Sequence, residues 1–202
     1  MSSNRAPSTR LTSFAGQSRW HAAAVTVGVM VAAMWVIEIL DLMTPGSFTR
    51  LGIRPRTLGG LFGIPLAPFL HAGLAHLIAN TLPFAVLGFI IAVSSYRRFW
   101  SVTVLVGLIA GAGTWIFGTP GSVHIGASGL VFGYLTYLMT RGFFAKKPMW
   151  VLGGVVVFLV FGGILWGLVP RAGVSFTGHL FGALGGVAAA WLLREREPSS
   201  SV

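Results

Sequence analysis

The side chains best suited to chemistry in this sequence are Ser128 and His179, which lie near the starts of two apolar runs. His71, His76 and Asn80 lie at the start of a third apolar run. Serine is a weak nucleophile until a base takes its proton, and a neutral imidazole can be that base. Ser128 and His179 are therefore a candidate nucleophile and general base. His76, Asn80 and the Ser128 backbone N–H are candidate hydrogen-bond donors to an oxyanion.

The composition indicates a membrane protein. Of the 202 residues, 54% are hydrophobic and only 9% are charged, whereas soluble domains have roughly 25% charged residues. The net charge of +10 does not predict a nucleic-acid partner, because the basic residues form no stripe and instead lie between apolar runs. The absence of cysteine excludes a disulfide framework, a cysteine nucleophile and a thiolate metal site.

Six apolar runs reach or approach the roughly 20 residues that a helix needs to cross a bilayer. They cover about residues 20–40, 73–94, 100–117, 126–139, 150–168 and 176–193. The predicted fold class is therefore an all-α membrane protein with six transmembrane helices. The predicted domain is 20–193, between a disordered tail over 1–19 and a C-terminal tail over 194–202.

The basic residues predict the orientation, because they concentrate on the cytoplasmic side of membrane proteins. Most of the 14 lie before span one, after span six, or between spans two and three or four and five: Arg5, Arg10, Arg19, Arg97, Arg98, Arg141, Lys146, Lys147, Arg194 and Arg196. Both termini of this multi-pass protein of the cell membrane are therefore expected in the cytoplasm. The five polar residues then lie in the outer half of the membrane, so the site opens to the outer face.

Residues 42–70 are apolar but too often broken by Pro and Gly to form a spanning helix. Two interpretations remain open. The segment is either an amphipathic element in the outer membrane interface or a loop that merely packs on the bundle.

Glycine recurs at every fourth position in spans four and six, at Gly129 and Gly133 and at Gly178, Gly182 and Gly186. Small residues at this spacing let two membrane helices approach closely. Such a contact would bring Ser128 and His179 together, although simple helix packing explains the same pattern.

The positions of the acidic residues limit the catalytic mechanisms that are possible. All four of them lie outside spans two to six, at Glu38, Asp41, Glu195 and Glu197. A Ser-His dyad is therefore expected rather than a triad with a carboxylate, and an intramembrane aspartate pair is excluded. The sequence also lacks a His-Glu-x-x-His zinc motif, and three histidines without a carboxylate or thiolate make a metal site improbable. No cofactor or metal is expected.

Each polar residue also has a structural interpretation. A serine at a helix start often caps the helix, and a histidine on a membrane helix is often a hydrogen-bonded core residue. The common depth of the five residues favours catalysis. His124 and His21 are expected at the surface.

These residues are where the sequence resembles the rhomboid family of intramembrane serine proteases. The similarity has three motifs, which fall in order on spans two, four and six: His71-x4-His76-x3-Asn80, Gly126-x-Ser128-Gly129 and His179-x2-Gly182-x3-Gly186. It covers about residues 20–193. Gly-x-Ser-Gly alone is a weak signal, whereas all three motifs with the right spans and spacing are highly specific.

The resemblance implies a serine endopeptidase with Ser128 as nucleophile and His179 as general base. It implies an oxyanion hole lined by His76 and Asn80, with His71 in a supporting role. The substrates would be single-span, membrane-anchored proteins in the lipid bilayer, cut in or near their transmembrane segments. Residues 42–70 would correspond to the first loop of the family, in the outer leaflet.

The sequence departs from the family pattern at two places. Phe132 replaces a tyrosine that stacks on the catalytic histidine in many members, so stacking is retained and a hydroxyl is lost. Phe62 and Gly63 stand where many members have a Trp-Arg pair. A binding protein that captures helices without cutting them, and a channel or proton-coupled transporter, are the alternative functions. An intact Ser128–His179 pair argues against the first, and the lack of carboxylates and repeats against the second.

Overall fold

The chain folds into a bundle of largely apolar helices. The computed structural model describes residues 9–45 and 47–194, with side chains from residue 18 onward. The α-helices are α1 (Thr9–Met43), α2 (Leu58–Leu61), α3 (Gly63–Leu66), α4 (Leu74–Ser94), α5 (Tyr96–Phe117), α6 (Ser128–Phe144), α7 (Pro148–Phe161) and α8 (Phe176–Leu192). Three 3-10 segments lie between them, at Phe48–Leu51, Ala67–Phe69 and Gly162–Leu168. The expectation of an all-helical protein is confirmed for the described residues, which contain no strand.

Among the residues that the structure describes, four stretches are long and apolar enough to cross a membrane: Ser18–Met43, Leu74–Ser94, Tyr96–Phe117 and Pro148–Leu168. α6 and α8 are shorter, with 17 residues each. The bounds of α4 and α8 agree with the sequence-based spans to within one residue. α5 begins four residues earlier than expected, because the Ser95 side chain accepts a hydrogen bond from the Arg98 N–H and caps the helix there.

The helix α1 begins inside the predicted N-terminal tail. Residues 1–19 are expected to form a disordered tail, but α1 begins at Thr9, so residues 9–19 are helical. Extending an existing helix costs far less than nucleating one, and the apolar span that follows provides the nucleus. Residues 1–8, and residues 195–202 of the predicted C-terminal tail, lie outside the described residues.

α6 lies at the centre of the bundle, in contact with α4, α5, α7 and α8. Its Tyr134 is fully buried, with ring centroids 5.5 Å from Phe84 of α4 and 5.9 Å from Phe99 of α5. The phenol and the hydroxyl of Thr103 form a 2.7 Å hydrogen bond, which satisfies the polar end of this buried ring. This cluster fixes α6 against α4 and α5.

α8 packs on α6 at backbone distance. A Cβ atom added to Gly182 would overlap the backbone of Gly129, and one added to Gly186 would overlap the carbonyl of Gly133. Only glycine lets the two helices come this close. The contact predicted from the glycine spacing is therefore confirmed, and it sets the distance between the N-terminal ends of α6 and α8.

The segment between α1 and α4 is bound to the C-terminal end of α5. The Trp115 indole N–H donates to the Thr57 carbonyl at 2.9 Å. The Arg56 guanidinium donates to the carbonyls of Ile116 at 2.8 Å and Gly118 at 3.0 Å. These bonds hold a chain of short helices against the bundle, in place of a spanning helix.

Gly182→Ala is expected to destabilise the bundle, because the added methyl group meets the backbone of Gly129, which cannot move without shifting a helix. Overpacking of this kind costs about 1–3 kcal/mol. Gly107→Ala is the control, since outside its own helix backbone the nearest described atom to its added Cβ is a Leu130 methyl at 3.8 Å. Thermal unfolding in detergent should show a lower midpoint for Gly182→Ala alone. Equal midpoints for the two variants would contradict the close contact.

Candidate active site

The structure brings Ser128 and His179 into direct contact. Ser128 is the first residue of α6, and His179 lies in the first turn of α8. The His179 Nε2 and Ser128 Oγ atoms are 2.9 Å apart. The imidazole is buried, with 8% of the residue exposed. A serine hydroxyl next to an imidazole nitrogen, largely shielded from solvent, is an arrangement in which the hydroxyl can be deprotonated as it reacts.

Two neighbours fix the His179 ring. Its Nδ1 is 2.8 Å from the Gly167 carbonyl oxygen. Because a carbonyl only accepts, Nδ1 holds the ring proton, and the Nε2 lone pair of the neutral ring faces Ser128. Phe132 stacks on the ring, with centroids 4.3 Å apart and planes 14° from parallel. The ring is therefore held in both orientation and tautomer.

The Gly167 contact with His179 is not predicted from the sequence. Its contribution is a backbone carbonyl, which leaves no trace in the residue type. The glycine itself is a weak signal: a Cβ at this position would lie 2.8 Å from the Phe132 ring and 3.2 Å from His179 Nδ1. Only a residue without a side chain leaves room for both rings.

His76 and Asn80 lie one turn apart at the start of α4, as their spacing predicts. The Asn80 amide donates to the His76 carbonyl at 3.0 Å. His76 Nδ1 accepts from the Ala72 N–H at 3.3 Å, so the ring proton is on Nε2. That edge of the ring lies against Gly126, two residues before Ser128, where φ is +105° and a Cβ would be too close to the imidazole.

His71 is buried behind these groups, with 1% of the residue exposed. Its Nε2 lies 3.5 Å from the backbone N of Ala127, the residue before Ser128. Its ring packs edge-on against His76, with centroids 5.0 Å apart. Burial, together with the nearby His76, lowers the pKa of His71 to about 4, so the ring is neutral near pH 7. His71 thus links the loop before α6 to the start of α4.

One cavity of about 730 Å³ joins these groups. His76, Asn80, Ser128, Phe132 and His179 all line it. Within residues 9–45 and 47–194, no group of three or more His, Asp or Glu side chains is placed to hold a metal ion. The cavity therefore presents a serine hydroxyl, an imidazole nitrogen and nearby N–H groups to whatever enters it.

The position of His124 differs from the prediction. It is expected at the surface, but it is partly buried in the same cavity, and burial lowers the pKa of its imidazole. Its Nδ1 is 2.7 Å from Ser175 Oγ and its Nε2 is 2.8 Å from Ser122 Oγ. The loop that contains it has no helical periodicity, so the sequence gives no sign that it folds against the start of α8. His21 is exposed, as expected.

Comparisons with known proteins agree with this geometry. A family model described as the Rhomboid domain matches residues 58–196. An uncharacterized protein of Mycobacterium bovis is 41% identical over 202 residues, which cover 96% of this chain and 83% of the relative. An uncharacterized protein of Mycobacterium tuberculosis (strain CDC 1551 / Oshkosh) matches to the same extent. An uncharacterized protein of Mycobacterium leprae is 42% identical over 188 residues, or 89% of this chain and 74% of the relative.

The family match covers more than half of the chain, including α4 to α8 and both residues of the Ser128–His179 contact. The apolar helices of the chain are those of a multi-pass membrane protein. The chain therefore belongs to the rhomboid family of intramembrane serine proteases.

Proposed function

We propose that this protein is an intramembrane serine endopeptidase that uses Ser128 and His179 to hydrolyse peptide bonds of membrane-anchored proteins, in or near their transmembrane segments. The observation that carries the proposal is the 2.9 Å hydrogen bond between Ser128 Oγ and His179 Nε2. A serine and a histidine 51 residues apart meet with the nitrogen lone pair facing the hydroxyl. The membership of the chain in the rhomboid family supports the same reaction.

In this mechanism Ser128 Oγ attacks the carbonyl carbon of the scissile bond while His179 Nε2 takes the hydroxyl proton. The Gly167 carbonyl stabilises the imidazolium that forms, because it accepts the Nδ1–H bond. The protonated Nε2 then gives its proton to the leaving amine. Water subsequently attacks the acyl-enzyme, with His179 again as the base, and Ser128 is released.

The negative charge on the substrate oxygen requires donors in the same cavity. His76, with a proton on Nε2, and the Asn80 amide are the proposed side-chain donors, and both line the cavity beside Ser128. The Ser128 backbone N–H, at the N-terminus of α6, adds a third donor and the positive end of the helix dipole. Asn80 uses one amide hydrogen to bond the His76 carbonyl, which leaves the second free for the substrate.

We infer six spans, formed by α1, α4, α5, α6, α7 with its 3-10 extension, and α8. At 17 residues α6 is about 26 Å long, somewhat shorter than the roughly 30 Å hydrocarbon core. It can nevertheless serve as a span because four neighbouring helices surround it. In this arrangement Ser128, at its start, lies below the membrane surface.

The proposed orientation has both termini in the cytoplasm and the cavity open to the outer face of the cell membrane. Two basic side chains lie over the Trp150 ring near the proposed cytoplasmic end of α7, Arg141 at 4.7 Å and Lys147 at 4.5 Å from its centroid. Arg194 lies 5.0 Å from the Trp191 centroid at the end of α8. Paired tryptophans and basic residues at one level are typical of a cytoplasmic interface.

The segment between α1 and α4 is proposed to lie in the outer leaflet. Leu58 and Phe62 are 82% and 76% exposed, and Leu61 and Leu66 on the same short helices are exposed as well. On the opposite side, a Cβ at Gly60 or Gly63 would overlap the backbone of the preceding loop. One apolar face is therefore free while the other is packed, as expected of an interfacial element.

Ser128→Ala and His179→Ala are each expected to abolish cleavage, because each removes one half of the proposed dyad. The double variant should be no worse than either single one, since members of a catalytic unit are not additive. The measurements are cleavage of a single-span reporter in liposomes and labelling by a fluorophosphonate. Ser101→Ala and His21→Ala, at exposed positions, are the matched controls. Cleavage by Ser128→Ala at the wild-type rate would exclude the serine mechanism.

Asn80→Ala is expected to lower kcat by about 10²–10³, the usual loss when one oxyanion donor is removed. Cleavage should not disappear, because His76 and the Ser128 backbone N–H remain. Ile78→Ala, on the same helix but with 57% of the residue exposed, is the control. An unchanged kcat in Asn80→Ala would show that the amide does not contact the oxyanion.

Phe132→Ala is expected to slow fluorophosphonate labelling of Ser128 about 2- to 12-fold, because it removes the ring stacked on His179. Such ring pairs contribute about 0.5–1.5 kcal/mol. Phe132→Trp retains an aromatic face, so its labelling rate should be closer to that of the wild type. If both variants label at the wild-type rate, the stacking does not contribute to the position of the base.

A further inference from the structure

A second group of hydrogen-bonded side chains lies beside the proposed dyad. His124 Nδ1 is 2.7 Å from Ser175 Oγ, and His124 Nε2 is 2.8 Å from Ser122 Oγ. All three residues line the cavity that contains Ser128 and His179. The mechanism described above assigns none of them a role.

Two residues of this group precede the two residues of the dyad by the same number of positions. His124 lies four residues before Ser128, and Ser175 lies four residues before His179. The His124–Ser175 hydrogen bond, here called the His124–Ser175 bridge, therefore joins the same two stretches of chain as the Ser128–His179 bond. Farther along the helices, α6 and α8 are held together by their glycine contacts. The bridge lies just before the first of these contacts, where α8 begins.

The hydrogen bonds show which atom donates and which atom accepts in each pair of this group. Ser175 Oγ accepts the Gly178 N–H at 3.2 Å as the cap of α8, so its own hydroxyl can donate to His124 Nδ1. His124 Nε2 then holds the ring proton and donates to Ser122, whose hydroxyl donates to the Thr119 carbonyl. Every donor has one acceptor when His124 is neutral. Burial, which lowers the pKa of His124, favours that neutral form.

The backbone of His124 is itself held in place. Its N–H and carbonyl both pair with Ile53, at 2.9 Å in each direction. A Cβ at Gly118 would lie 2.9 Å from His124 Nε2, so the chain packs closely against the ring. The imidazole is therefore a fixed point to which the start of α8 is attached through Ser175.

We propose that His124 is a positioning residue, which holds the first turn of α8, and with it His179, at hydrogen-bonding distance from Ser128 through the His124–Ser175 bridge. The proposal rests on the function proposed for Ser128 and His179. His124 contacts Ser175 and Ser122 but takes no proton from the substrate. Without the bridge, the start of α8 loses a side-chain attachment to the loop before α6, and a displacement of about 1 Å at a catalytic group can cost on the order of 10² in rate.

The test compares His124→Phe and His124→Gln with the wild type, using the full chain in detergent. His124→Phe keeps a ring but removes both hydrogen bonds, and it leaves the Ser175 cap of α8 intact. We expect it to slow fluorophosphonate labelling of Ser128 by about 10- to 100-fold. His124→Gln, whose amide can accept from Ser175 and donate to Ser122, should restore much of the rate. His21→Phe, at an exposed position of α1, is the matched control.

A double-variant comparison separates the bridge from a general loss of stability. Ser175→Ala removes the same bridge and also the cap of α8. Added to His124→Phe it removes only the cap, so it should slow labelling less than it does alone. Ser175→Thr keeps the hydroxyl and should label close to the wild-type rate. Labelling by His124→Phe at the wild-type rate, or fully additive effects of the two substitutions, would overturn the proposal.

Hydrogen exchange gives a readout that does not depend on activity. His124→Phe should speed amide exchange at Gly178 and His179, while the amides near the end of α8 keep their wild-type rates. Wild-type protein that fails to label would refute the proposed protease function. Unchanged exchange at the start of α8 would refute the role of His124, whatever the labelling result.

Discussion

The close contact between α6 and α8 is the constraint on which the site depends. In lipid, helices gain little from burying apolar surface against one another, so close packing and interhelical hydrogen bonds hold them together. Here Gly129 and Gly133 meet Gly182 and Gly186 at backbone distance. Thr136, on the same side of α6, donates to the Ala183 carbonyl at 2.8 Å. With the backbones this close, the short side chain of a serine on α6 can reach a histidine on α8.

The environment of His179 explains how the proposed dyad can operate without an acidic third member. A buried carboxylate in a membrane helix is costly unless it is paired, and no such residue occurs between residues 42 and 194. The Gly167 carbonyl supplies the acceptor for Nδ1, and the Phe132 ring supplies a flat surface on one side of the imidazole. Orientation and tautomer are thus fixed by a neutral dipole and an apolar ring, neither of which adds a charge to the bundle.

The sequence allowed the helices and the Ser128–His179 contact to be predicted because both follow from regular spacing. Apolar runs define the spans, and glycines four residues apart define one face of α6 and one face of α8. His124 and Gly167 could not be found in this way. His124 lies in an irregular loop whose path depends on its pairing with Ile53, and Gly167 acts through its backbone. The helical start of α1 at Thr9 was missed because composition does not predict how far a nucleated helix extends.

The short length of α6 connects the fold to the proposed chemistry. Hydrolysis needs water, whereas apolar helices exclude it. α6 begins at Ser128, and this N-terminal end of the helix borders the cavity. The cavity, of about 730 Å³, has room for many water molecules beside a substrate. The histidines and Asn80 that line this region lie near the starts of helices rather than at their centres. The polar site can therefore be hydrated from one side, while Tyr134 and its aromatic neighbours keep the middle of the bundle closed.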